Sequence, residues 1–180
     1  MAKRNEAKEW AREKIRGLFT SPTIPFTDEL RLDEAGIRHN VERMLAARAS
    51  GIGFGFTEPW VLSLQERKRA MEVAIDAVKG RAVAYLHAAD HSVAETVNLC
   101  LHAKAAGAEA VMLWAPYEWA KSQEMIHDFY AYVAERVDLA IIAYNTYHSG
   151  IAMTPQTVAR IAAIPNICAM KDGVNDTAHT

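Results

Sequence analysis

The stretch RAVAYLHAADHSVAETVNLCLHAKAAGAEAVMLWAP (residues 81–116) decides the fold class. Its two ends, RAVAYLHA (81–88) and AEAVMLWAP (108–116), are apolar runs of strand length with no polar alternation. Between them, residues 92–106 carry helical spacing that Gly107 stops. A strand that is apolar on both faces is covered on both faces. A crossover long enough to hold a helix joins two such strands in parallel. The unit is therefore β–α–β.

The same rhythm extends in both directions. Toward the C-terminus, Ser122 with Gln123 and Glu124 opens a helix ending near Arg136, and DLAIIAYN (138–145) is a strand. Thr154-Pro155 starts a short helix with proline in its first turn, and NICAMKD (166–172) is a strand. Toward the N-terminus, Ser63 and Glu66 form a capping box ahead of a helix that runs to Lys79, and GIGFGF (51–56) precedes it as a strand. Asp33 caps a helix reaching Ala49, LFTSPTIPF (18–26) is a strand running into a proline-punctuated loop, and residues 4–16 form a charged amphipathic helix. The expectation is an α/β chain of six strands, organised as a single domain over residues 1–180 with an N-terminal helix within 1–17. Two architectures fit. One is an open doubly wound sheet, which six strands complete. The other is a (β/α)8 TIM barrel of about 250 residues, of which this chain covers the first six βα units and is incomplete at its C-terminus.

Composition narrows the function. With 51% hydrophobic and 23% charged residues among 180, the chain builds a core rather than remaining disordered. A net charge of −2 argues against nucleic acid or an anionic membrane as partner. No apolar run approaches the roughly 20 residues of a membrane span. MAKRNEAKEWAREKIRG (1–17) has no apolar signal core, and its six basic and three acidic residues suit a solvated face or a cap on a barrel floor. Cys100 and Cys168 lack metal-ligand spacing and read as reduced thiols of a cytoplasmic protein. His87 and His91, near the end of one strand, make a weak metal pair, and no metal site is expected.

In parallel α/β folds the carboxyl ends of the strands carry the chemistry. Those ends include Phe54-Gly55-Phe56-Thr57-Glu58, His87, Pro116-Tyr117, Tyr144-Asn145 and Lys171-Asp172. Lys171 stands out, because a lysine after a buried apolar run is costly to desolvate, and desolvation favours the neutral amine that attacks carbonyls. The plainer reading is a lysine snorkelling to solvent or paired with Asp172. Tyr144, one strand earlier, could face the same cavity and pass protons, or could be a core aromatic with its hydroxyl on a backbone carbonyl. Trp60, Trp114 and Trp119 fall near the expected mouth, as lining or as packing.

In their order these pieces resemble the dihydrodipicolinate synthase / N-acetylneuraminate lyase family of class I aldolases. The matching residues are Pro25-Phe26, Leu32-Asp33, Glu58, Leu62-Ser63, Glu66-Arg67, Gly80-Arg81, Ala106-Gly107-Ala108-Glu109-Ala110-Val111, Pro116-Tyr117, Tyr144-Asn145, Gly150, Pro155-Gln156-Thr157-Val158 and Asn166-Ile167 before Lys171-Asp172. The resemblance implies a (β/α)8 barrel, assembled as a dimer of dimers. It implies that Lys171 forms an imine with a 2-oxo acid such as pyruvate, that Tyr144 relays protons, and that no cofactor beyond the covalent imine is needed. The backbone and side chains of Gly55, Phe56 and Thr57 would hold the substrate carboxylate.

Three positions depart from the family pattern. Phe56 stands where a relay threonine is usual, leaving Thr57 as its nearest substitute. Glu118 stands where the synthases have a tyrosine. The loop Tyr144–Gly150 has no arginine, and His148 is its only basic group. These departures mark a divergent member. They point away from lysine-biosynthetic dihydrodipicolinate synthase activity and toward a second substrate, such as an aldehyde, that is less anionic and more apolar. The rival expectations are a non-catalytic relative acting as a sensor or structural paralogue, and an imine-dependent dehydratase.

Overall fold

The helix starts singled out in the sequence are met by side chains. A computed structural model describes residues 4–55, 61–116, 118–146 and 150–174. After a first helix, α1 (Ala7–Lys14), come α2 (Glu34–Ala46) and α3 (Leu64–Val78). Asp33 accepts the Gly36 N–H, and Ser63 and Glu66 complete their capping box. α4 (Val93–Ala106), α5 (Gln123–Arg136) and α6 (Pro155–Ala162) begin at Ser92, Ser122 and Thr154, each accepting a backbone N–H of its first turn. Caps of this kind are worth about 1 kcal/mol each and set where each crossover leaves its strand.

The strands are β1 (Phe19–Thr20), β2 (Gly51–Phe54), β3 (Val83–His87), β4 (Ala110–Leu113), β5 (Ala140–Asn145) and β6 (Ile167–Asp172). They form one sheet in the order β1-β2-β3-β4-β5-β6, with every pair parallel. A doubly wound sheet starts in its middle and reverses direction at a switch point. Strictly sequential order has no such point. The chain is an arc of a (β/α)8 barrel, and the open-sheet alternative is set aside. β1 is far shorter than the expected strand over 18–26. Pro22 and Pro25 remove two backbone donors, and the segment turns off into a Phe26–Leu32 bridge instead.

Two cores follow from the two faces of the sheet. The larger lies between the strands and the outer helices, and includes Ile52, Leu86, Val111, Leu113, Ile141 and Phe129. The smaller lies on the inner face, where Tyr85, Ala110, Met112, Ala140 and Ile142 pack against Ala7, Trp10 and Ile15 of the N-terminal segment. The amide of Arg4 donates to Asp138 Oδ1 at 2.7 Å and Lys8 Nζ donates to the Ala162 carbonyl at 2.6 Å. Asp138 precedes β5 and Ala162 ends α6, so α1 lies at the amino ends of the strands, where a floor cap belongs. Both cysteines are free. Cys168 is the extra residue of a bulge between β5 and β6, and burial pushes its thiol up to about 12.

Asn166, matched above as part of a family motif, is structural. It is fully buried, and its Nδ2 donates to the carbonyls of Ala134, Val137 and Leu139 at 3.2, 2.8 and 3.3 Å. It thereby ties the end of α5 to the start of β5. Asn166→Ala leaves these carbonyls dry and unpaired. It is expected to lower unfolding free energy by about 2–3 kcal/mol in urea denaturation followed by circular dichroism.

Candidate active site at the carboxyl ends of the strands

Side chains alternate along a strand, so inward positions recur every second residue. The inner core contains Tyr85 on β3, Met112 on β4, Ile142 on β5 and Ala169 on β6. Two residues further along each strand come His87, Trp114, Tyr144 and Lys171. On β2, Phe54 packs outward and Gly55 takes the next inward place. The register pairs Phe54 with Leu86, His87 with Met112, Leu113 with Ala143 and Tyr144 with Lys171. Five consecutive strand ends thus bring Gly55, His87, Trp114, Tyr144 and Lys171 to the mouth, with Trp114 level with Tyr144 and Lys171 and His87 one pairing step lower.

The four side chains form a continuous row. Lys171 Nζ lies 4.1 Å from the Tyr144 ring centroid. The Tyr144 and Trp114 rings meet edge-on at 6.0 Å, and Trp114 stacks on the His87 imidazole with centroids 3.7 Å apart. Below the row an open cavity of about 370 Å³ is lined by Phe19, Tyr85, Met112, Ile142 and Lys171 among others. Tyr85 donates its hydroxyl to the Thr20 carbonyl at 2.9 Å, and burial pushes its phenol up to about 12.

Tyr144 is fixed from both sides. Its backbone N–H donates to the Tyr130 hydroxyl, which itself donates to the Leu113 carbonyl at 2.7 Å. Gly173 lies against its ring, where a Cβ would come within 3.2 Å of Tyr144 Cε2 and 3.5 Å of its hydroxyl oxygen. The neighbouring Asn145 is fully buried. Its Oδ1 accepts the Met153 N–H at 2.8 Å and its Nδ2 reaches Asp172 at 3.3 Å, which pins the strand end to the start of the next crossover.

Lys171 differs from its expected setting. It is exposed rather than buried. The reason is its place on β6, the last strand of the arc, where β5 flanks it on one side only. A cation–π contact at an exposed site is worth about 0.5–1 kcal/mol, enough to bias Nζ toward the phenol ring without immobilising it. Gly55 adopts φ +81°, a conformation that glycine reaches without strain, beside His87. Phe56, Thr57, Glu58, Trp60, Tyr117 and His148 lie outside the described residues.

Glu118 and the histidines take roles that the sequence leaves unassigned. Glu118 Oε2 meets His91 Nδ1 at 2.5 Å, linking the loops after β3 and β4. Trp119 is half-buried, donates its indole N–H to the His91 carbonyl at 2.8 Å and packs against Phe129. Arg67 is a further anchor of the mouth. Its guanidinium is buried and reaches Asp90 at 2.6 Å and the Ala89 carbonyl at 2.7 Å, holding the loop after His87. Desolvation draws Arg67 below its ordinary range, and Asp90 opposes that. The available signal was spacing: Arg67 comes one turn into a capped helix, and Asp90 comes three residues past an inward strand end.

The dihydrodipicolinate synthetase family model matches residues 14–180. The chain belongs to that family. It is 36% identical over 167 residues to the 4-hydroxy-tetrahydrodipicolinate synthase of Thermus thermophilus, covering 90% of this chain and 56% of that one. It is 34% identical over 161 residues to the enzyme of the same name from Methanothrix thermoacetophila, covering 88% and 54%. Among solved structures it resembles YagE, a prophage protein of the dihydrodipicolinic acid synthase family from E. coli K12, in complex with pyruvate. The TM-score is 0.85 at 29% identity, over 91% of this chain and 56% of that one. The chain thus spans just over half the length of these family members.

The Arg67–Asp90 pair gives a test of the loop anchor. Asp90→Ala strands a buried guanidinium and is expected to cost about 2–4 kcal/mol, whereas Arg67→Met leaves a carboxylate that water can reach and costs less. Denaturant midpoints of the two variants, compared with the parent, check the order.

Proposed function

We propose that this chain forms the imine-bearing part of a Schiff-base lyase or aldolase, which makes or breaks a carbon–carbon bond next to a 2-oxo acid such as pyruvate. The observation that carries the reading is the Lys171 amine 4.1 Å from the Tyr144 ring centroid, at the paired ends of β5 and β6. The YagE neighbour is in complex with pyruvate, which supports the choice of 2-oxo acid.

The neutral Lys171 amine attacks the keto carbon of the oxo acid. The carbinolamine loses its hydroxyl as water, with Tyr144 supplying the proton, and an imine remains. The protonated imine withdraws electrons, so the Tyr144 phenolate takes a proton from the adjacent carbon and the resulting enamine attacks an aldehyde. Tyr144 protonates the new alkoxide, water releases the product from the lysine, and the same steps reversed cleave the bond. The covalent imine is the only prosthetic chemistry required. The backbone near Gly55, with Phe56, Thr57 and His148, holds the oxo-acid carboxylate.

Three features favour a second substrate that is apolar and weakly anionic. The loop after β5 carries no arginine, Glu118 is engaged by His91, and Trp114 flanks the phenol. We place the protein in the cytoplasm as a homo-oligomer, a dimer of dimers. No helix among the described residues is long and apolar enough to cross a membrane.

Borohydride reduction in the presence of pyruvate, followed by peptide mass spectrometry, tests the reading directly. The expected product is a carboxyethyl adduct on Lys171, absent in Lys171→Arg. A panel of 2-oxo acids that leaves Lys171 unmodified would falsify imine chemistry. Gly173→Ala tests the phenol, because the added methyl crowds the Tyr144 ring and hydroxyl. It is expected to slow adduct formation about tenfold while the thermal midpoint moves by only a few degrees.

A further inference from the structure

Among the inward residues of the mouth, His87 has no part in the proposed proton transfers, yet it packs directly on the aromatic row beside Tyr144. It is 1% exposed. One face of its imidazole stacks on Trp114 at 3.7 Å and 31°, and Trp114 in turn meets Tyr144 edge-on at 6.0 Å. On its other side is Gly55. A Cβ added there would lie 3.7 Å from the His87 carbonyl oxygen and 3.8 Å from its Cβ, both ordinary contact distances.

We infer that His87 is a positioning residue: its buried imidazole holds Trp114, and through it the Tyr144 ring, at the mouth. The inference rests on the imine reading for its catalytic consequence.

The chemistry of the ring suits the task. Burial and the nearby Arg67 guanidinium keep it well below its ordinary pKa, so it is a neutral aromatic that can stack. Two substitutions test the stack. His87→Phe keeps an aromatic surface against Trp114. His87→Ala removes it.

The experiment measures borohydride trapping on Lys171 against pyruvate concentration, with the near-ultraviolet circular dichroism of each variant. The difference spectrum between the protein and Trp114→Phe isolates the Trp114 signal. His87→Phe is expected to keep the limiting trapping rate within about twofold and to retain the Trp114 band. His87→Ala is expected to lower the limiting rate about tenfold and to lose that band. A limiting rate unchanged in His87→Ala, equal rate losses in both variants, or a Trp114 band intact in His87→Ala each overturns the inference. If the parent protein traps no 2-oxo acid, the imine reading fails, and the Trp114 band still decides whether His87 holds that ring.

Discussion

The site depends on one constraint: inward positions recur every second residue, and the parallel strands are stacked in chain order. Once Tyr85, Met112, Ile142 and Ala169 are committed to the inner core, the residues two places later have no choice of direction. His87, Trp114, Tyr144 and Lys171 reach the mouth for that reason. A one-residue slip on β6 would turn Lys171 outward and bring Met170 inward. The bulge at Cys168 lies within that strand. It changes the count between β5 and β6 just below the mouth, and the pairing of Tyr144 with Lys171 is set above it.

Much of this was legible in the sequence. Apolar runs separated by capped helices gave the strands and their parallel sense, because burial on both faces erases alternation. The caps at Asp33, Ser63, Ser122 and Thr154 hold because a short oxygen-bearing side chain before a helix has few better partners than the first-turn amides. Barrel and open sheet could not be separated by composition or periodicity, since both use the same βαβ unit. Strand order separated them. Lys171 was expected to be desolvated from its apolar predecessors alone. Burial is set by neighbours across the ladder, and a sequence window does not contain them.

The side chains that the sequence reading undervalued share a property: each works through a partner distant in sequence. His87 and His91, whose spacing makes only a weak metal pair with no metal expected, have separate partners: His87 stacks on Trp114, while His91 faces Glu118. Arg67 sat inside a family motif without a stated role until Asp90 supplied one. Glu118, a departure from the family pattern, belongs to a polar clasp between two mouth loops.

The outer strand carries a last consequence. Along β6, Ile167 and Met170 line a cleft of about 410 Å³ with Val158 and Ile161, and the Lys171 side chain stands at the top of the same edge. Whatever packs against this edge covers the apolar cleft and that side chain together, so the wetness of one is tied to the wetness of the other.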